Sequence, residues 1–161
     1  MNAIGLSKVT EEARGERGVP PLILASGVLT IIGLIAAGYL SYSSLTGSHL
    51  VCAGLGDCNA VQASIYAKLA GIPVSLFGLA SYVAIASLLL VRLKLSGMIG
   101  YLADLGVLGL CLSGWVFSMF LTYVELFILH AICPWCVTSA VMMTLLAILS
   151  SLRVFQDISA A

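Results

Sequence analysis

Ile132-Cys133-Pro134-Trp135-Cys136-Val137 opens an apolar run that continues to Leu152, and the rest of the chain is best read outward from it. Proline suits the first turn of a helix, because its missing N–H is unpaired there in any case and its φ is already helical. The spacing therefore predicts a helix from Pro134 with Cys133 at its N-cap. Cys136, three residues on, falls one turn further along the same face, so the two sulfurs can meet in a disulfide. The free N–H groups and the positive end of the helix dipole favour the Cys133 thiolate, the form that reacts. That is the chemistry of a redox dithiol. A structural disulfide and half of a zinc site are the other readings of a C-x-x-C, and the internal proline and a second cysteine pair upstream weigh against both.

Composition sets the surroundings of this motif. Of 161 residues 61% are hydrophobic and 9% charged, and the mean hydropathy is +1.14. So few charged side chains cannot cover a water-facing surface, which makes the chain an integral membrane protein. A formal charge of zero with seven scattered Lys and Arg excludes a nucleic-acid partner, which would need a basic face. Five cysteines leave one unpaired. Cys52, Cys58, Cys133 and Cys136 lie at the ends of apolar runs and Cys111 in the middle of one, so Cys111 is expected to be a buried small hydrophobe.

Residues 1–21 carry scattered charges and end in Pro20-Pro21, a polar tail. Residues 22–45 are almost unbroken apolar sequence, longer than the roughly 20 residues a bilayer requires, and form the first span. A cleaved signal has an apolar core of only about 7 to 15 residues, so an uncleaved anchor is expected. Small residues between Gly33 and Gly38 allow a close helix approach. Residues 46–72 are the longest polar interruption and hold Cys52 and Cys58, with Gly54 and Gly56 letting the segment fold back until the thiols meet. After them Asn59 is expected to cap a short interfacial helix striped by Val61, Ile65 and Leu69. Ser64 reads as a small surface residue, and His49 as a lone interfacial histidine.

Further spans are expected over 73–91, closed by Arg92 and Lys94, over 101–124, and over 134–152, closed by Arg153, with 153–161 as a second tail. Asp104 is placed near the water boundary; a deep position would make it a functional candidate. Residues 125–131, with Glu125 and His130, read as a short connection. Four spans give an all-α antiparallel bundle with both termini on one side. Lys8, Arg14, Arg17, Arg92, Lys94 and Arg153 fall on that side and only Lys68 on the other, so the positive-inside rule puts the termini in the cytoplasm. Both cysteine pairs are then extracytoplasmic, where disulfides persist.

A loop pair spaced as Cys52 and Cys58 after the first span, Ser64 beyond it, and Cys133-Pro134-Trp135-Cys136 opening the fourth span resemble the vitamin K epoxide reductase family, in particular its bacterial disulfide-forming members. The resemblance covers roughly residues 22–152. It implies a four-helix bundle around a quinone of the ubiquinone or menaquinone/phylloquinone type, in the bacterial inner membrane, and no metal. By position, Cys52 exchanges with a thioredoxin-like partner, Cys58 passes electrons to Cys133, and Cys136 faces the quinone. Ser64 matches the family's loop serine, and Trp135 is placed to help line the rim of the ring site. The chain ends at Ala161 without a fused thioredoxin-like domain, so a separate extracytoplasmic, DsbA-like partner is expected. The vertebrate enzymes bind the vitamin K ring with an asparagine and a tyrosine where this chain has Val74 and Ala140, which speaks against epoxide reduction. Three alternatives stand beside this reading: a vitamin K epoxide or quinone reductase proper, a Dsb-type quinone reductase, disfavoured by the reversed order of the two cysteine pairs, and a four-cysteine zinc or copper(I) site.

Overall fold

The computed structural model of the chain describes residues 21–52 and 57–159. The tail with Lys8, Arg14 and Arg17, and the glycines Gly54 and Gly56, lie outside them. Helix α1 (Pro21–Thr46) begins on its proline, as a helix first turn allows. After the redox loop and its short helix α2 (Cys58–Ala63), the chain forms a 3-10 turn over Ile65–Ala67 and a two-residue hairpin, Lys68–Leu69 (β1) against Ile72–Pro73 (β2). Ala70 and Gly71 at its tip both have positive φ, the backbone a two-residue hairpin turn requires. The hairpin delivers the chain into α3 (Val74–Lys94), then come α4 (Met98–Val124) and α5 (Pro134–Ser159).

These four long helices are apolar enough to cross a membrane. At most 33% of any span's apolar window is buried, so most of its side chains point outward. Ile35, Val116, Phe120 and Ile148 are among the exposed ones. Apolar side chains all round a helix belong in lipid, and the chain is an integral membrane protein. α1 packs against α3 and α5, and α4 against α3 and α5, closing a four-helix ring. Its centre is filled by Ala37, Tyr82, Ile85, Val107, Cys111, Met143 and Leu146. Gly33 lies so close to the Tyr82 ring that a Cβ there would collide with it. The Tyr82 hydroxyl donates to the Ser139 carbonyl at 3.1 Å, which ties α3 to α5. Cys111 is fully buried among these residues.

At one end of the bundle α3, α4 and α5 share a charge cluster. Asp104, near the start of α4, is fully buried, with Arg92 Nε 2.6 Å and Arg153 Nη1 2.8 Å from its two oxygens. Arg92 also reaches Asp157 at 3.3 Å. Because Arg153 and Asp157 take part in this network, α5 continues to Ser159, past the expected end at Leu152. At the other end α4 does not stop at Val124. It runs on as a π-helical turn over Glu125–Leu129 and ends on His130, whose backbone is left-handed. π turns inside long helices are often found beside functional sites.

Candidate functional site

All four cysteines outside the core gather at the end away from the charge cluster. α2 is held there by Asp57, whose carboxylate accepts from the Ala60 N–H at 3.0 Å. Asp57, and not Asn59, is therefore the cap. The Asn59 side chain accepts instead from the Leu50 N–H at 3.0 Å and so pins the loop strand that carries Cys52. The expected stripe also breaks: Ser64 leaves the helix with extended backbone, and Ile65 and Leu69 are exposed while Val61 is buried. A six-residue α2 cannot carry a longer stripe.

Cys52 and Cys58 are joined in a disulfide with their Cα atoms 6.2 Å apart. Cys58 is fully buried, whereas Cys52 is partly exposed. Two aromatic residues hold the strand beside it. Tyr39 Oη accepts from the Val51 N–H, and the Trp135 indole N–H donates to the Val51 carbonyl, each at 3.1 Å. The two rings pack with centroids 4.9 Å apart. Trp135 thus faces the loop strand, and it is not among the residues that line the cavity described below.

Cys133 stands directly before α5, fully buried, and its carbonyl accepts from the Val137 N–H at 3.0 Å. Cys58 and Cys133 belong to one buried cluster with Leu40, Leu50 and Val61, and Cys52, Trp135 and Cys136 pack against it. Cys133 and Cys136 are both free thiols. A hydrogen bond from the Cys136 thiol, aided by the Cys136 and Trp135 N–H groups, holds the Cys133 thiol below the ordinary range against the opposing effects of burial and Glu125.

Beside Cys136 the helices enclose a cavity of about 370 Å³. Leu40, Val74, Phe77, Phe117, Leu121 and Met143 supply its apolar walls, and Ser64, Tyr66, Ser139 and Glu125 its polar points. An apolar cavity with a few polar groups, of this size, fits a small-molecule ligand. Ser64 lines it, but its hydroxyl is already donated to the Val61 carbonyl at 2.7 Å. Glu125 is buried, and its Oε2 accepts from the Cys133 N–H at 3.2 Å. Residues 24–151 match the family model described as the vitamin K epoxide reductase family.

The chain belongs to the vitamin K epoxide reductase family. It is accordingly a membrane oxidoreductase of the thiol type, and the disulfide between Cys52 and Cys58 fits redox cysteines. Among the described residues no group of three or more His, Cys, Asp or Glu is arranged to hold a metal. His49 and Lys68 line a separate polar surface pocket that no cysteine lines. Two residues of this family member escaped the sequence reading. Tyr39 is one aromatic residue within a long apolar span and carries no signal of its own. Glu125 does carry one: it is a lone carboxylate in an otherwise apolar stretch, eight residues before Cys133.

Proposed function

We propose that the protein is a quinone-dependent thiol oxidase that makes disulfides for extracytoplasmic proteins through a separate thioredoxin-like partner. The observation that carries this reading is the bonding pattern at the site. The loop pair is closed, the helix pair is open, and only the helix pair opens onto an apolar cavity, through Cys136. That is the state of such an enzyme after electrons have moved inward and before they leave.

The steps follow from exposure and burial. The more accessible sulfur, Cys52, is attacked by a partner thiolate, and a mixed disulfide forms as Cys58 leaves. The partner's second thiol resolves it, so the partner is oxidised and the loop pair reduced. Cys58, buried in the same cluster as Cys133, then attacks the helix disulfide at Cys133 and expels Cys136. Cys52 attacks Cys58 in turn, the loop disulfide re-forms, and the dithiol Cys133/Cys136 remains. A bound quinone would supply the two-electron acceptor that reoxidises this dithiol. The cavity wall suits such a ring: Phe77, Phe117 and Leu121 offer apolar faces, and Ser139 and Tyr66 add polar points. Direction is set by potential, since for a two-electron couple about 30 mV corresponds to about 1.4 kcal/mol.

Sidedness rests on charge. Arg92, Lys94 and Arg153 cluster at the end opposite the cysteines and Lys68 lies on the cysteine side, so the positive-inside rule favours cytoplasmic termini and extracytoplasmic thiols. The test is purified protein in lipid nanodiscs given a reduced thioredoxin-like protein and ubiquinone or menaquinone. We expect one quinone reduced for each partner disulfide made. A protein that copurifies with zinc or copper at the cysteines, and reduces no quinone, would overturn the reading.

A further inference from the structure

Glu125 is the one charged side chain among the residues that line the cavity. Among the described residues the ion pairs are confined to Arg92, Arg153, Asp104 and Asp157 at the opposite end, so no cation balances Glu125. Glu125 is only 4% exposed. It touches the Cys133 N–H and faces the Cys136 thiol. A buried acid with no cation is costly in its ionised form and holds a proton readily. Capping the Cys133 N–H needs only an acceptor oxygen, which an amide would supply without that cost. The carboxyl adds a place to put a proton, at the point where thiols must lose theirs.

The need for such a place follows from the stoichiometry of the quinone reaction, so this inference rests on the function proposed above. Two thiols and one quinone give one disulfide and one quinol: two S–H bonds break, one S–S bond and two O–H bonds form, and an electron pair passes from sulfur to the ring. Both protons must travel with the electrons into an apolar cavity. Its lining offers three titratable groups: Cys136 itself, Tyr66, and Glu125. From the start of α5, Cys133 and Cys136 face Glu125; from α2, Cys58 lies in the adjoining cluster but is tied up in the loop disulfide.

We propose that Glu125 is the proton carrier of this site. Its carboxyl gives its proton to a quinone oxygen and takes up that of the Cys136 thiol as the bond between Cys136 and Cys133 forms. The second proton comes from Cys133. Glu125 ends each turnover protonated, as it began. Glu125 opens the π turn that ends α4, and its side chain meets the Cys133 N–H across the connection that follows.

Glu125→Gln keeps the acceptor for the Cys133 N–H and loses the ability to carry a proton. The first readout needs no quinone. In reduced, quinone-free protein, the rate of Cys136 alkylation by iodoacetamide is followed against pH by tandem mass spectrometry. The Cys133–Cys136 dithiol titrates as a coupled pair in both proteins, and wild type should show one step more than Glu125→Gln, contributed by the carboxyl. Superimposed profiles would mean that Glu125 is a cap alone and would overturn the proposal. The second readout is single-turnover oxidation of the dithiol by quinone in nanodiscs. We expect Glu125→Gln to be slower by about 100-fold, the range of one lost general acid-base group, with partial recovery in Glu125→Asp and on addition of formate. Should Glu125→Gln fail to accumulate, Glu125→Asp should still displace the pH profile; an unchanged profile there overturns the proposal. A wild-type dithiol that quinone leaves reduced overturns the quinone reading and this inference with it. Normal oxidation in wild type and in Glu125→Gln alike overturns this inference alone.

Discussion

Each end of the bundle buries one carboxylate, and the two are held in opposite ways. Asp104 is fully enclosed with a guanidinium on each oxygen. Glu125, almost as deeply buried, has one backbone N–H, a thiol and an apolar cavity beside it. The carboxylate held between two arginines ties α3, α4 and α5 together. The carboxyl without a cation, set among thiols, is the one that carries a proton in the mechanism proposed above. Burial alone therefore does not identify a reactive acid in a membrane protein. The nature of its partners does.

The comparison predicts that damage at the two ends will show up in different measurements. Asp104→Ala leaves two guanidinium groups facing each other and should cost about 3–5 kcal/mol, the price of removing one partner from a buried pair. Chemical unfolding in detergent should register this, while the alkylation rate of Cys133 in the still-folded protein stays at its wild-type value. A changed thiol reactivity would show that the two ends are coupled. Between them, Gly33→Ala pushes a methyl group into the Tyr82 ring and should destabilise by about 1–3 kcal/mol, again with unchanged thiol chemistry. Cys111→Ala should have the smallest effect, about 0.5–1.5 kcal/mol for a small void in the core. Its rate of partner-driven disulfide formation should equal wild type, because Cys111 sits in the central core and not in the cluster at the redox end. A loss of turnover with normal accumulation would assign it a redox role.

The difference between the ends also explains what could be read from the sequence. Four apolar runs, each long enough to span, and cysteines at their ends announced the bundle and the site, because composition and spacing are local properties. The ion pairs of Asp104 were not legible. They join residues 12 and more positions apart, and sequence alone does not say which helix faces which. The extent of α5 to Ser159 was hidden for the same reason, since Arg153 reads as a boundary residue until its partner is seen. Trp135 reads naturally as a rim for an apolar ring. Its indole N–H instead finds the Val51 carbonyl, a partner 84 residues away. The short helix after Cys58 was overextended because an apolar residue every fourth position suggests continuity, whereas Ser64 turns the backbone out of the helix at a point that the pattern spans. Glu125 is legible as a lone acid, but its meaning depends on the contact with the Cys133 N–H, made across the turn that follows it.

The central claim is that electrons pass from the loop pair through Cys133 to Cys136, and the Cys136→Ser protein tests it most directly. Without its resolving thiol, Cys133 should be captured by Cys58 in a stable mixed disulfide when the protein matures in cells. Non-reducing peptide mapping by mass spectrometry should then find Cys58 joined to Cys133, with Cys52 left as a free thiol open to alkylation. A Cys136→Ser protein in which Cys52 and Cys58 remain paired and Cys133 stays free would contradict the account, as would a dominant bond between Cys52 and Cys133.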